Sequence, residues 1–192
     1  MATRGVQNKR QAIMQAALKL FTSGHYHTTS IPEIAMLAGV GEGTIYHYFR
    51  CKSDLAAAIY CEGINECYEQ MVRAAAEGTT PREKLDNVAH YMLRRAELQP
   101  ELIRFINFAR YGDYLPQEAL VQQTRMPEVV CGILKEARCQ GLLKDLEPEV
   151  LTLSWCSIIQ GALQARRDGL VRRSLASLAA PICQCAWDSV AR

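Results

Sequence analysis

Apolar residues recur along this chain at the three- and four-residue spacing of helices, and no stretch shows the strict alternation of a half-buried strand. Ile13, Ala16, Ala17, Leu20 and Phe21 form one stripe and predict a first helix over residues 6–22, with Lys9, Arg10 and Lys19 off the stripe. Residues 1–5 are expected to be a mobile basic arm. Ser23 and Gly24 end the helix, and residues 25–29 form a loop. Ser30 followed three positions on by Glu33 has the spacing of a capping box, and Pro32 is tolerated in a first turn. Together they predict a second helix over 31–38, with Ile34, Ala35 and Leu37 or Ala38 as core contacts.

Gly39 can take the positive φ that stops this helix, and Val40 supplies an apolar plug between two steeply crossing helices. A third, short helix is predicted over 42–49. Only Ile45 and Phe49 have the i, i+4 spacing that buries a helix, so Thr44, Tyr46, His47 and Tyr48 stay largely exposed. A short exposed helix carrying hydroxyl and imidazole groups, followed at once by Lys52, fits a DNA major groove with its flanks on phosphate.

A long fourth helix is predicted over 52–77, and its stripe changes phase near Gly63. Leu55, Ala58 and Ile59 form one face; Tyr60, Ile64, Cys67, Tyr68, Met71 and Ala75 form another. Two faces imply two packing partners, so we divide the chain into a helix-turn-helix domain, 1–52, and a C-terminal domain, 53–192. The fourth helix is the lever between them. Thr80, Pro81 and Glu83 start a fifth helix sharply, Pro100 opens a nearly all-apolar sixth, and residues 112–116 make a turn. A seventh helix is expected over 116–140 with a break at Pro127, an eighth over 148–167, and a ninth over 174–191 with a bend at Pro181. The fold class is all-α, about nine helices in total.

The last two helices are apolar almost all round, and small residues on them allow close backbone approach. Ser154, Ser157, Ile158, Gly161 and Ala165 on one helix and Leu175, Ala179, Ile182 and Ala186 on the other are the expected dimer interface, closing a two-fold four-helix bundle.

Composition adds bounds. At 192 residues, 49% of them hydrophobic, the chain can bury a substantial core. It lacks a long uncharged apolar run and an apolar leader, so a soluble, cytoplasmic protein without membrane contact is expected. The eight cysteines follow no metal-knuckle spacing, and buried reduced thiols are the default. The net charge is only +2, but residues 1–55 hold six Lys/Arg against three acids, so positive charge gathers where phosphate binding needs it. The loop pair His25 and His27 lacks third and fourth ligands. No metal and no cofactor is expected.

Arg10, Ile13, Ala16-Ala17, Leu20-Phe21, Gly24, Thr29, Ile34-Ala35, Ala38-Gly39-Val40, Gly43-Thr44-Ile45-Tyr46, Tyr48-Phe49, Lys52 and Leu55, in this order, resemble the TetR-type one-component transcriptional regulators. The resemblance covers about the first quarter of the chain. It implies a TetR-like all-α homodimer, a repressor that leaves a palindromic operator in double-stranded DNA when a small-molecule effector enters its C-terminal domain. By the same resemblance, DNA contacts fall on Glu42, Gly43, Thr44, Tyr46, His47 and Tyr48, with phosphate anchors at Thr29 or Ser30 and at Lys52. Gly41 and Cys51 stand where the family commonly has capping residues.

Aromatic and polar groups on otherwise apolar helices are the candidate ligand contacts: Tyr68, His90, Tyr91, Phe105, Asn107, Phe108, Tyr111, Trp155 and Gln160, suited to an apolar or aromatic effector. The expected switch is a ligand wedged against Tyr68 or Met71 that tilts the fourth helix. Two rivals remain: a thiol-redox- or metal-responsive regulator on the same fold, using Cys61, Cys67, Cys131, Cys139 or Cys156, and a small all-helical enzyme using His90 or a cysteine. No nucleophile, base and orienting group can be assembled from the sequence for the latter.

Overall fold

A computed structural model describes residues 2–24, 26–109 and 114–192. Among these are ten α-helices and one 3-10 turn, with no strand beyond a single bridge between Leu143 and Ala191. The helices are α1 (Ala2–Gly24), α2 (Ile31–Ala38), α3 (Glu42–Tyr48), α4 (Lys52–Ala76), α5 (Pro81–Leu98), α6 (Pro100–Ala109), α7 (Gln117–Val121), α8 (Arg125–Cys139), α9 (Pro148–Arg167) and α10 (Leu175–Val190).

Two expectations are corrected. The arm expected at residues 1–5 is helical from Ala2: no proline interrupts it, and extending an existing helix gains one bond per residue fixed. The seventh predicted helix is two, parted by the 3-10 turn Gln122–Thr124 and not at Pro127. Pro127 lies in the first turn of α8, where its missing N–H has no intrahelical partner to lose.

The chain forms two compact units. One holds Met1–Ile64 and Glu101–Gln122, the other Asn65–Pro100 and Gln123–Arg192. This division falls at Ile64, inside α4, whereas the sequence reading divided the chain after residue 52.

In the first unit Ile13, Ala17, Ile34, Ile45 and Leu55 are fully enclosed. The change of stripe along α4 has its cause here. α6 crosses α4 at Gly63, where a β-carbon would lie only 2.8 Å from Leu102 Cδ1 and 3.0 Å from Ile106 Cδ1. In the second unit α5 packs on α8, α9 and α10 around Leu85, Leu93, Trp155 and Ile159. Thr80 and Glu83 form the predicted capping box at the start of α5. Gly78 is required beside it, since a β-carbon there would lie 2.6 Å from the Lys84 backbone nitrogen. Glu97 caps α10 by accepting from the Leu175 N–H at 2.6 Å. Arg95, buried in the same unit, donates to both oxygens of Glu66 at 3.1 and 2.8 Å.

Candidate nucleic-acid interface

Ser30 is the N-cap of α2. Its Oγ accepts from the Glu33 N–H at 3.4 Å, while Glu33 Oε2 accepts from the Ser30 N–H at 2.7 Å. The hydrogen bond from the Ser30 backbone, then that from its hydroxyl, holds the Glu33 carboxyl below the usual glutamate range. Thr29 is buried, so of the two candidates Ser30 is the one at the helix end and partly open to solvent. Gly39 adopts φ 66° and ψ 36°, the left-handed conformation expected of it, and its N–H closes α2 on Ala35 and Met36.

α3 follows from an N-cap, Gly41, that offers no side-chain bond. Within the helix only Ile45 is buried, and Phe49 closes the far end on the same face. Glu42, Gly43, Tyr46 and His47 are exposed, Tyr46 at 54%, while Thr44 and Tyr48 are half-buried. The rings of His47 and Tyr48 meet edge to face at 5.2 Å. The structure therefore brings all six α3 candidates onto one short helix and leaves most of its surface bare.

Lys52 has a different setting from the one expected. Its Nζ donates to the carbonyl oxygens of Tyr26 at 2.9 Å and Thr29 at 2.8 Å, approaches that of His27 at 3.5 Å, and stands 4.4 Å from the Tyr26 ring centroid. The ammonium fastens the α1–α2 loop, and any phosphate has to share it. Arg10 is likewise engaged within the protein, with Nη2 on Glu62 Oε1 at 2.5 Å and the guanidinium 5.4 Å from the Phe49 ring centroid. Sequence reasoning missed both attachments, because each joins residues far apart in the chain.

The ligand candidates are divided between the two units. Tyr68, Tyr91 and Trp155 belong to the second unit, whereas Phe105 and Asn107 belong to the first. His90 and Gln160 are exposed, because the buried stripes of α5 and α9 run along other faces of those helices. Tyr111 and the side chain of Phe108 lie outside the described residues. Tyr68 lines a cleft of about 420 Å³ in the second unit, walled also by Val72, Lys84, Val129, Ile133 and Glu136. Arg125 covers its ring at 4.1 Å, and Lys84 pairs with Glu136 at 2.7 Å beside the cleft. Tyr91 stands by Cys67, and burial, then the neighbouring thiol, raises its hydroxyl above the usual tyrosine range.

Of the dimer candidates, Leu175, Ala179 and Ala186 are enclosed in the subunit's own core, so they are not available to a second copy. Ile158 and Ile182 are half-buried against the same core. On α9, Ser157 and Gly161 are exposed and Ser154 and Ala165 half-buried. Val150 and Leu153 extend that exposed face, Leu153 at 67%.

All eight cysteines are free. Burial raises the Cys61 and Cys67 thiols and pushes Cys156 and Cys183 up to about 11, which keeps them protonated near neutral pH. Among the described residues no three His, Cys, Asp or Glu side chains are grouped to hold a metal ion, and His25 lies outside those residues.

Two helices joined by a glycine-closed turn, the second short and bare on most sides, define a helix-turn-helix protein of the DNA-reading type. The family model for bacterial regulatory proteins of the tetR family matches residues 13–59. The fatty acid metabolism regulator protein of Bacillus subtilis (strain 168) is 27% identical over 139 residues, 71% of this chain and 72% of that protein. The HTH-type transcriptional regulator HbdR of Aromatoleum sp. (strain CIB) is 40% identical over 81 residues, 42% of this chain and 35% of that one.

In fold, the chain is similar to a TetR family transcription regulator from Marinobacter aquaeolei VT8, with TM-score 0.84, 22% identity and coverage of 100% of this chain and 99% of that one. It is also similar to the transcriptional regulator FadR from Bacillus subtilis in complex with stearoyl-CoA, with TM-score 0.83, 21% identity and coverage of 93% and 98%. Residues 13–59 thus carry the DNA-binding region of the bacterial regulatory proteins of the tetR family, and the whole chain shares the fold of TetR family regulators.

Proposed function

We propose that this regulator is a cytoplasmic homodimeric repressor. It reads a palindromic operator with two copies of α3 in successive major grooves, about one helical turn apart. The observation that carries this reading is the exposure of α3: a seven-residue helix that buries only Ile45 leaves Glu42, Gly43, Tyr46 and His47 facing outward. Thr44 and Tyr48 complete the reading surface, the Thr29–Ser30 turn meets phosphate, and Lys52 fixes that turn. No helix among the described residues is long and apolar enough to cross a membrane. The exposed α9 face of Val150, Leu153, Ser157 and Gly161, spaced for one side of a helix, supports self-association.

The effector class we assign is a long-chain acyl thioester, bound in the C-terminal domain, residues 53–192. The largely apolar core of the second unit supports it, as does the resemblance to a fatty acid metabolism regulator and to a FadR that holds stearoyl-CoA. α4 runs unbroken from Lys52 to Ala76, which gives the effector a mechanical path. Burial raises the Cys61, Cys67 and Cys156 thiols, which does not favour thiol sensing through these three.

The test is selection of bound sequences from random duplex DNA, followed by titration of the complex with stearoyl-CoA. An inverted repeat is expected from the selection, and its release by stearoyl-CoA in the titration. Coupling is reciprocal, so operator should weaken stearoyl-CoA binding by the same factor. Failure to select any duplex contradicts the DNA reading. An operator complex indifferent to saturating stearoyl-CoA contradicts the effector class alone.

A further inference from the structure

The α1–α2 loop precedes the helix that we place on phosphate, and a residue far along the chain from both holds it. The Tyr114 ring stacks on the Tyr26 ring at 3.9 Å between centroids and 14° between planes. It also meets the His27 ring edge-on at 6.0 Å. Tyr26 packs on Phe21 at 5.2 Å, and Phe21 stacks on Phe105 of α6 at 6.0 Å. All of these residues belong to the same compact unit. Lys52 holds the loop through the Tyr26 and Thr29 carbonyl oxygens, and Ser30, the next residue, caps α2.

A loop with little regular structure has many conformations to lose, and aromatic stacking together with an ammonium on its carbonyl oxygens selects one of them. The ring that does this lies in the segment after α6, outside the residues that match the DNA-binding family model.

We propose that Tyr114 is a positioning residue for operator binding: stacked on Tyr26, it sets the α1–α2 loop and so the place at which Ser30 and the start of α2 meet phosphate. Residues 101–122 thereby gain a route to the DNA-binding surface that does not run along α4. The assignment rests on the DNA reading proposed above.

The experiment measures the affinity of full-length protein for the selected duplex across a salt series. It compares wild type with Tyr114→Phe, Tyr114→Leu, Tyr26→Leu and the double leucine variant. Melting temperature and amide exchange of residues 27–30 are followed in the free proteins. Tyr114→Phe keeps the stack and should match wild type. Tyr114→Leu should bind about tenfold more weakly, the scale of one aromatic pair, with a shallower salt dependence because phosphate contacts are lost. The double variant should be no weaker than Tyr26→Leu, and the 27–30 amides should exchange faster in Tyr114→Leu at nearly unchanged melting temperature.

Wild-type affinity and exchange in Tyr114→Leu overturn the assignment. So does a Tyr114→Phe variant as weak as the leucine one, or a loss of affinity at an unchanged salt slope. A wild-type protein that selects no duplex overturns instead the DNA reading beneath it.

Discussion

Both compact units enclose aromatic side chains, Tyr60 and Phe105 in the first and Trp155 in the second, but the first also sets aromatics on an open helix and a loop. In the second, Trp155 is enclosed among Leu85, Leu93 and Ile159 and serves cohesion. In the first, Tyr46 points outward from a helix with a single buried residue, and Tyr26 and Tyr114 stack on a loop. An aromatic left more than half exposed, on a helix too short to be stable alone, adds little to the fold. On the function proposed above, the difference separates residues that maintain the fold from residues that serve DNA binding, and the variants below sharpen or break it.

The largest expected effect is on stability. Trp155→Ala should lower unfolding free energy by about 3–5 kcal/mol, measured by denaturant titration, through lost burial and the cavity left behind. A loss under about 1 kcal/mol would mean that the second unit is not organised around this ring.

Tyr46→Ala should do the reverse. Its effect on stability should be within about 0.5 kcal/mol, as for other exposed positions. Its loss of operator affinity should be about 1–3 kcal/mol and much smaller on random duplex, read by competition binding. Equal losses on both kinds of DNA would reduce Tyr46 to a phosphate contact.

Glu66→Gln tests polar support inside the second unit. The hydrogen bonds from Arg95 hold the Glu66 carboxyl below its ordinary pKa of 4.5. The pair therefore stabilises the folded state above that value, and the contribution is lost as pH falls through the lower, folded-state pKa. Glu66 is half exposed, so the substitution should cost about 1 kcal/mol at neutral pH and flatten the acid limb of a stability–pH curve. An unchanged acid limb would contradict the pairing.

Gly41→Ser gives the smallest effect. A hydroxyl at the N-cap of α3 should add a few tenths of a kcal/mol in thermal unfolding, since a β-carbon at Gly41 has nothing within 4 Å to strike.

Features written in adjacent residues could be read from the sequence. The boxes Ser30–Glu33 and Thr80–Glu83, the left-handed Gly39, and Ile45 with Phe49 as the buried pair of α3 all stand as their spacing implied. Features decided between distant segments could not. Lys52 pointed to phosphate by its position after α3, yet the loop carbonyls that hold its ammonium come from residues 26–29.

The phase change at Gly63 announced a partner, and only the fold shows that it is α6. On α10 both faces are apolar, so periodicity alone could not tell that Leu175, Ala179 and Ala186 face inward. The same holds for the ligand candidates: an aromatic on an apolar helix carries no record of which neighbour it meets.

The most direct measurement of the central claim is sedimentation of the full-length protein with the selected duplex, intact or with one half-site scrambled, under competing bulk DNA. Two chains per intact duplex are expected, bound at least about 10³-fold more tightly than the competitor, with most of that margin lost when one half is scrambled. A single chain per duplex that binds intact, half-scrambled and bulk DNA alike would contradict the account.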